Sequence, residues 1–218
     1  MGSRFLAIAA VLAVTHAPRA AAQGSDMRAA AVAPHNPVPV LSATDSRQGF
    51  WFGGGVGAGA GSMRCSVCAN EADRGTAAYL RFGTTVTRSL LFGIEGTGWQ
   101  RSADAGTRRL VALSSAAWWY PSPQHGYYVK GGVGVSRWRA WEEDEAVVSQ
   151  ALAISVGAGY EVRVNPVLSV VPFVTVLGSA SGALWAEAWE QDVSFRRDRL
   201  PASGHAVLVQ IGIGITRH

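Results

Sequence analysis

The sequence has no stretch that could cross a bilayer as a helix. Such a span needs about eighteen or more consecutive apolar residues; the main apolar run, Phe5–Val14, is shorter and sits near the start. This excludes a helical membrane protein. Lysine is almost absent: Lys130 is the only one, and the other basic side chains are arginine, which reads as base composition more than as a binding surface. Charged residues make up only 16% of the 218, and the formal net charge is +4. A charge this small is no footprint for nucleic acid. Cysteine is limited to Cys65 and Cys68.

What is present begins with a secretory pattern. Arg4 precedes the apolar run, and Ala20-Ala21-Ala22 offers small residues for cleavage before Gln23. Without Arg4 and Arg19 the net charge falls from +4 to +2. No cysteine follows the cleavage position, so a lipoprotein anchor is not expected. The expected organisation is a signal peptide over 1–22, a disordered periplasmic arm over 23–48 carrying Pro34, Pro37 and Pro39, and one domain over 49–218.

From Gly49 onward a period of two dominates. Val207, Val209, Ile211, Ile213 and Ile215 alternate with Leu208, Gln210, Gly212 and Gly214. Leu152, Ile154, Val156, Ala158, Tyr160, Val162 and Val164 alternate with Ala153, Ser155, Gly157, Gly159, Glu161 and Arg163. Successive side chains of a strand point to opposite faces, so each segment has one aliphatic face and one face of glycine, serine and charge. A soluble barrel would put its large residues inside. Here the inward candidates are small or polar, and the aliphatic face is left for lipid. About eight such segments follow, near the ten residues a tilted membrane strand needs: Phe50–Gly61, Ala77–Thr87, Leu90–Trp99, Arg109–Tyr120, Tyr127–Trp138, Ala151–Val164, Leu168–Gly178 and the final Val207–Thr216. Parity is unclear in the fourth, and Pro172 obscures the register of the seventh.

Two further patterns agree. Thr87-Arg88-Ser89, Pro121–His125 and Asn165-Pro166 read as tight turns, whereas Met63–Thr76, Gln100–Thr107, Arg139–Ala146 and Ser179–Ser203 read as long polar loops. Short turns on the periplasmic side and long loops outside the cell are the asymmetry of an outer-membrane barrel. Phe50, Trp51, Trp118, Trp119, Tyr120, Tyr127 and Tyr128 fall at the short-turn ends, and Trp99, Trp138 and Trp141 at the long-loop ends. Rings that are part apolar and part wet favour the membrane boundary, which predicts two aromatic girdles.

On Gly49–Gly61, Tyr127–Trp138 with its Gly-Gly-Val-Gly-Val-Ser core, Val156–Val162 and Val207–Thr216, the chain resembles the small eight-stranded outer-membrane β-barrels typified by the OmpA transmembrane domain. The resemblance covers roughly 49–218 and is one of architecture. It implies an all-β, antiparallel transmembrane barrel in the outer membrane of a Gram-negative-type bacterium. It implies a structural, surface-interaction or minor-channel role for a porin-like monomer, in contact with outer-membrane lipid, lipopolysaccharide and the outer-membrane assembly machinery. Such barrels often end in an aromatic residue; Thr216-Arg217-His218 departs from that.

Parity places Arg81, Glu95, Lys130, Glu161 and Arg163 on the inward faces. An eight-stranded barrel is filled by side chains, and buried charges must pair or cost several kcal/mol each. The expectation is a lumen network in which Glu95 and Glu161 answer Arg81, Lys130 and Arg163, acting as a plug rather than an ion path. Cys65-Ser66-Val67-Cys68 in the first long loop reads as a disulfide in an oxidising compartment. Zinc would need two more ligands, and no nearby histidine supplies them, so no metal is expected. Gly53–Gly61 lacks the lysine and the following helix of a phosphate-binding loop. Trp141–Glu145 forms an acidic tip, read as a solvated loop rather than a calcium site. Trp185, Trp189, Phe195, Arg196, Arg197 and Arg199 could meet lipopolysaccharide phosphates or fold over the barrel mouth, and both readings stand.

No catalytic residues or cofactors are expected. Two alternatives remain beside the non-enzymatic barrel. One is a lipid-modifying outer-membrane enzyme of the lipid A deacylase type, for which Ser203 and His205 are the only comparable pair, without a visible acidic orienter. The other is a soluble, lipocalin-like ligand-binding barrel.

Overall fold

The computed structural model describes residues 47–66, 72–103, 106–142, 145–190 and 194–218. The expected signal peptide, and the arm up to residue 46, lie outside the described residues. The strands are β1 (Phe50–Cys65), β2 (Asp73–Thr87), β3 (Leu90–Ala103), β4 (Gly106–Trp119), β5 (Tyr127–Glu142), β6 (Glu145–Tyr160), β7 (Val162–Arg163), β8 (Leu168–Ser179), β9 (Gly182–Glu190) and β10 (Ser194–Arg217). Every pairing is antiparallel, and β1 closes on β10 through a register running from Phe52↔Arg217 to Cys65↔Gly204.

The ten strands make eight walls. Both β8 and β9 pair with β6 on one side and β10 on the other, so they form one wall interrupted at Ala180-Ser181. β7 prolongs the β6 wall past Glu161 and pairs with the foot of β8. The ring has no free edge, which is what a sheet crossing lipid requires.

Outward side chains form an apolar belt. Leu80 is 73% exposed, and Val56, Leu152, Ile211 and Ile213 are similarly bare. Apolar surface costs about 25 cal/mol per Å² in water, so a belt on every wall belongs in a membrane. On β5, Tyr127, Val129, Val133 and Val135 face outward before Arg137 takes the next position on that face. At about 3.3 Å per residue and a tilt near 40°, that stretch rises about 25 Å, the height of the apolar band of such barrels.

At the end that the turn pattern assigns to the periplasm, the connections are compact. In one of them, Asn165 Oδ1 accepts from the amides of Val167 at 3.0 Å and Leu168 at 2.9 Å, closing the turn into β8. At the other end, the expected long loops are largely strand. β3 reaches Ala103 and β4 starts at Gly106; β5 reaches Glu142 and β6 starts at Glu145; Ser179–Ser203 contains β9 and the start of β10. The walls outrun the membrane as hairpins, because paired backbone amides remain satisfied there in water as in lipid.

The two-girdle expectation needs correction. Phe50, Trp119 and Tyr127 do face outward near the periplasmic rim, and Trp141 is half-buried at the other end. Trp51, Trp99, Trp118, Tyr120, Tyr128 and Trp138 instead turn into the barrel and are almost wholly buried. The cause is the glycine on the opposing inner walls. A Cβ on Gly59 would stand 2.7 Å from Trp99 Cδ1, and one on Gly55 would stand 2.6 Å from Tyr79 Cε1. The bare inner faces of β1 and β10 are a floor on which rings from neighbouring walls lie. The inside is therefore not simply small and polar. What separates the molecule from a soluble ligand-binding barrel is the exposed apolar belt.

Candidate functional site

The interior is built in layers. Towards the periplasmic end of the barrel, Glu161 follows Tyr160 and is buried under three partners. Arg47 Nε donates to Oε2 at 3.1 Å, Tyr120 Oη donates to Oε1 at 2.6 Å, and His218 Nε2 lies 3.3 Å from Oε1. Arg47 also stacks its guanidinium 3.8 Å over the Tyr120 ring and donates to the Pro123 carbonyl at 3.0 Å. These contacts satisfy both oxygens of the buried carboxyl. This carboxylate latches the segment entering β1 onto the barrel floor. Arg47 was not among the expected charges, since it lies in a stretch with no strand period.

Above the latch sits an aromatic cage. The Arg81 guanidinium carbon lies 5.2–5.7 Å from the ring centroids of Trp51, Tyr79, Trp118 and Tyr128. Arg81 donates to Thr216 Oγ1 at 2.6 Å and to Tyr128 Oη at 3.1 Å. Trp51 and Trp118 pack edge to face with centroids 4.8 Å apart. The next layer holds Lys130, which donates to Glu95 Oε1 from across the lumen, and Thr97, whose hydroxyl lies 3.4 Å from the same oxygen. Glu95 Oε2, Ser155 Oγ, Thr175 Oγ1 and both side-chain polar atoms of Gln210 are buried without a protein partner. Groups of this kind are ordinarily met by internal water. Higher still is an apolar layer in which Trp99 stacks on Trp138, centroids 5.4 Å apart and planes 22° apart, over Met63, Leu110, Leu177 and Leu208.

The expected five-charge network thus divides. Glu95 and Lys130 meet. Arg81 makes no ion pair with Glu95 although the two are direct cross-strand partners; it is solvated by rings and hydroxyls instead. Glu161 takes Arg47 and His218. Arg163 is half-buried at the rim, apart from the Glu95–Lys130 layer.

Beyond the Trp99–Trp138 layer, the hairpins carry ion pairs absent from the expected set. Asp73 is gripped by Arg101 and Arg108. Glu187 receives Arg137 at 3.5 Å and Arg139 and Arg197 at 3.7 Å. Arg197 stacks 4.6 Å over Trp185, and Arg139 lies 5.5 Å over Trp141. Side chains on one face of β5, β9 and β10 can be found from sequence by parity, but only once the walls are known to continue beyond the membrane.

Cys65 ends β1, and Cys68 lies outside the described residues, as does the tip of the acidic loop. Ser203 and His205 border a shallow pocket with Arg64 and Cys65. Among the described residues no carboxylate is hydrogen-bonded to His205, so nothing orients it as a base. No group of residues among those described could hold a metal ion.

A closed antiparallel ring with a lipid-facing belt and a filled lumen defines a transmembrane β-barrel of the small, eight-walled class. One solved structure agrees. The crystal structure of Neisserial surface protein A is similar at a TM-score of 0.54 and 11% identity, covering 78% of this chain and 97% of that one. OprG from Pseudomonas aeruginosa aligns at 0.48 and 13%, covering 79% and 97%. Ail, the attachment invasion locus protein of Yersinia pestis, aligns at 0.43 and 10%, covering 77% and 99%. No protein-family model and no curated protein matches the sequence. The protein has the fold of the OmpA-like outer-membrane β-barrels, and its belt places it in the outer membrane.

Proposed function

We propose that this protein is a non-conducting outer-membrane barrel whose work is done on its outer and extracellular surfaces. The observation that carries this reading is the pair of aromatic closures. Arg81 with Trp51, Trp118 and Tyr128 fills the periplasmic half, and stacked Trp99 and Trp138 fill the extracellular half. The polar layer between them holds Glu95 and Lys130, both buried. An ion crossing it would have to part a charge pair and two aromatic layers.

Planar-bilayer recordings on purified protein test the reading. Wild type is expected to give no steady conductance. The double variant Trp99→Ala/Trp138→Ala removes only the upper closure and should remain silent as well. A large steady conductance in wild type would overturn the proposal.

A further inference from the structure

We infer that the outer wall of β4, β5 and β6 carries a binding groove for a phosphorylated, acylated sugar lipid of the outer leaflet. The groove, about 730 Å³, is lined by Val111, Leu113 and Val135 and by Arg109, Arg137 and Arg139. Alternation puts all six on the outward face, since Leu110, Ala112, Ser136 and Trp138 between them are buried in the barrel. The apolar members are the last of the lipid belt. The arginines begin where the belt ends, at the level of the outer-leaflet headgroups.

The groove is therefore amphipathic along the membrane normal, with acyl-chain contacts below and fixed cations above. Arg109 pairs with Arg139 across β4 and β5, so two like charges stand directly opposite each other. Such a pair is destabilising unless an anion lies between or above them. Among the described residues, Glu187 is the one carboxylate that reaches the cluster. It is shared among Arg137, Arg139 and Arg197, so among the described residues the cations outnumber the anion. Guanidinium forks match phosphate oxygens in pairs, and Arg139 and Arg197 are held in place by the Trp141 and Trp185 rings. A zwitterionic phospholipid offers one screened phosphate. A bis-phosphorylated lipid A offers two, on a headgroup anchored by chains that fit the belt. The inference rests on the membrane-embedded barrel but not on a closed lumen. A conducting wild type would end the closed-lumen reading and leave this one standing.

Native mass spectrometry of the full chain released from detergent tests it. The probes are bis-phosphorylated lipid A, the same lipid with both phosphates removed, phosphatidylethanolamine, and inorganic phosphate. Lipid A is expected to bind at least tenfold more tightly than its dephosphorylated form. Arg137→Gln/Arg139→Gln should weaken lipid A binding about tenfold or more while the heat-modifiable gel shift reports a folded barrel. Arg88→Gln, in a periplasmic turn, should change nothing. Glu187→Gln removes the competing carboxylate and should tighten binding. Equal retention of lipid A with and without phosphates would overturn the inference. So would unchanged lipid A affinity in both groove variants, or inorganic phosphate binding as tightly as the lipid.

Discussion

Replacing Lys130 by methionine is expected to lower the unfolding free energy by about 3–5 kcal/mol, the usual cost of stranding one member of a buried ion pair. Glu95 is 1% exposed, and its second oxygen already lacks a protein partner. Without the ammonium, only the distant hydroxyl of Thr97 and whatever water the layer holds would remain to it. Glu95→Gln/Lys130→Met should recover most of the loss, because it removes both charges and their desolvation together. The comparison uses urea unfolding of the vesicle-inserted barrel, followed by tryptophan fluorescence. A single variant as stable as wild type would mean that the layer is open to bulk water, which would also count against the closed lumen.

The eight-walled barrel was legible because the period of two is a local property, visible wherever one face meets lipid. The directions of the aromatic residues were legible too, but by a rule that end-clustering obscures. Phe50-Trp51, Trp118-Trp119 and Tyr127-Tyr128 are adjacent pairs, and adjacent strand residues cannot share a face. One ring of each pair had to turn inward, and Trp51, Trp118 and Tyr128 are the ones that do. Charge partners were harder. Arg81 and Glu95 are opposite each other in the β2–β3 register, yet Glu95 pairs with Lys130 on β5, two walls away. That choice depends on the curvature of a closed ring, which brings non-neighbouring walls together across the lumen. Arg139 and Arg197 were missed for a different reason. The stretches Arg139–Ala146 and Ser179–Ser203 read as polar loops, and a loop has no parity to assign.

Substituting valine at Gly57 is expected to abolish the folded barrel, seen as loss of the heat-modifiable band on unboiled gels and of strand signal in vesicles. Gly57 pairs directly with Gly212 where β1 meets β10, the closing seam of the ring. A Cβ at Gly57 would overlap the Ile211 carbonyl oxygen and stand 2.7 Å from the Gly212 Cα. Both obstacles are backbone, so no rotamer change relieves them. Relief requires the seam to separate, which gives up ladder hydrogen bonds inside lipid, where no water replaces them. The loss should exceed about 4 kcal/mol, beyond the range of ordinary single substitutions. Gly96→Ala is the matched control: Gly96 faces outward on β3, and the nearest atom to a Cβ there is 4.0 Å away. It should fold with stability within about 0.5 kcal/mol of wild type. If Gly57→Val folded as well as Gly96→Ala, the inward glycines would reflect composition alone. If only the seam variant fails, glycine there is what lets eight walls close tightly enough for the rings of Tyr79 and Trp99 to fill the lumen.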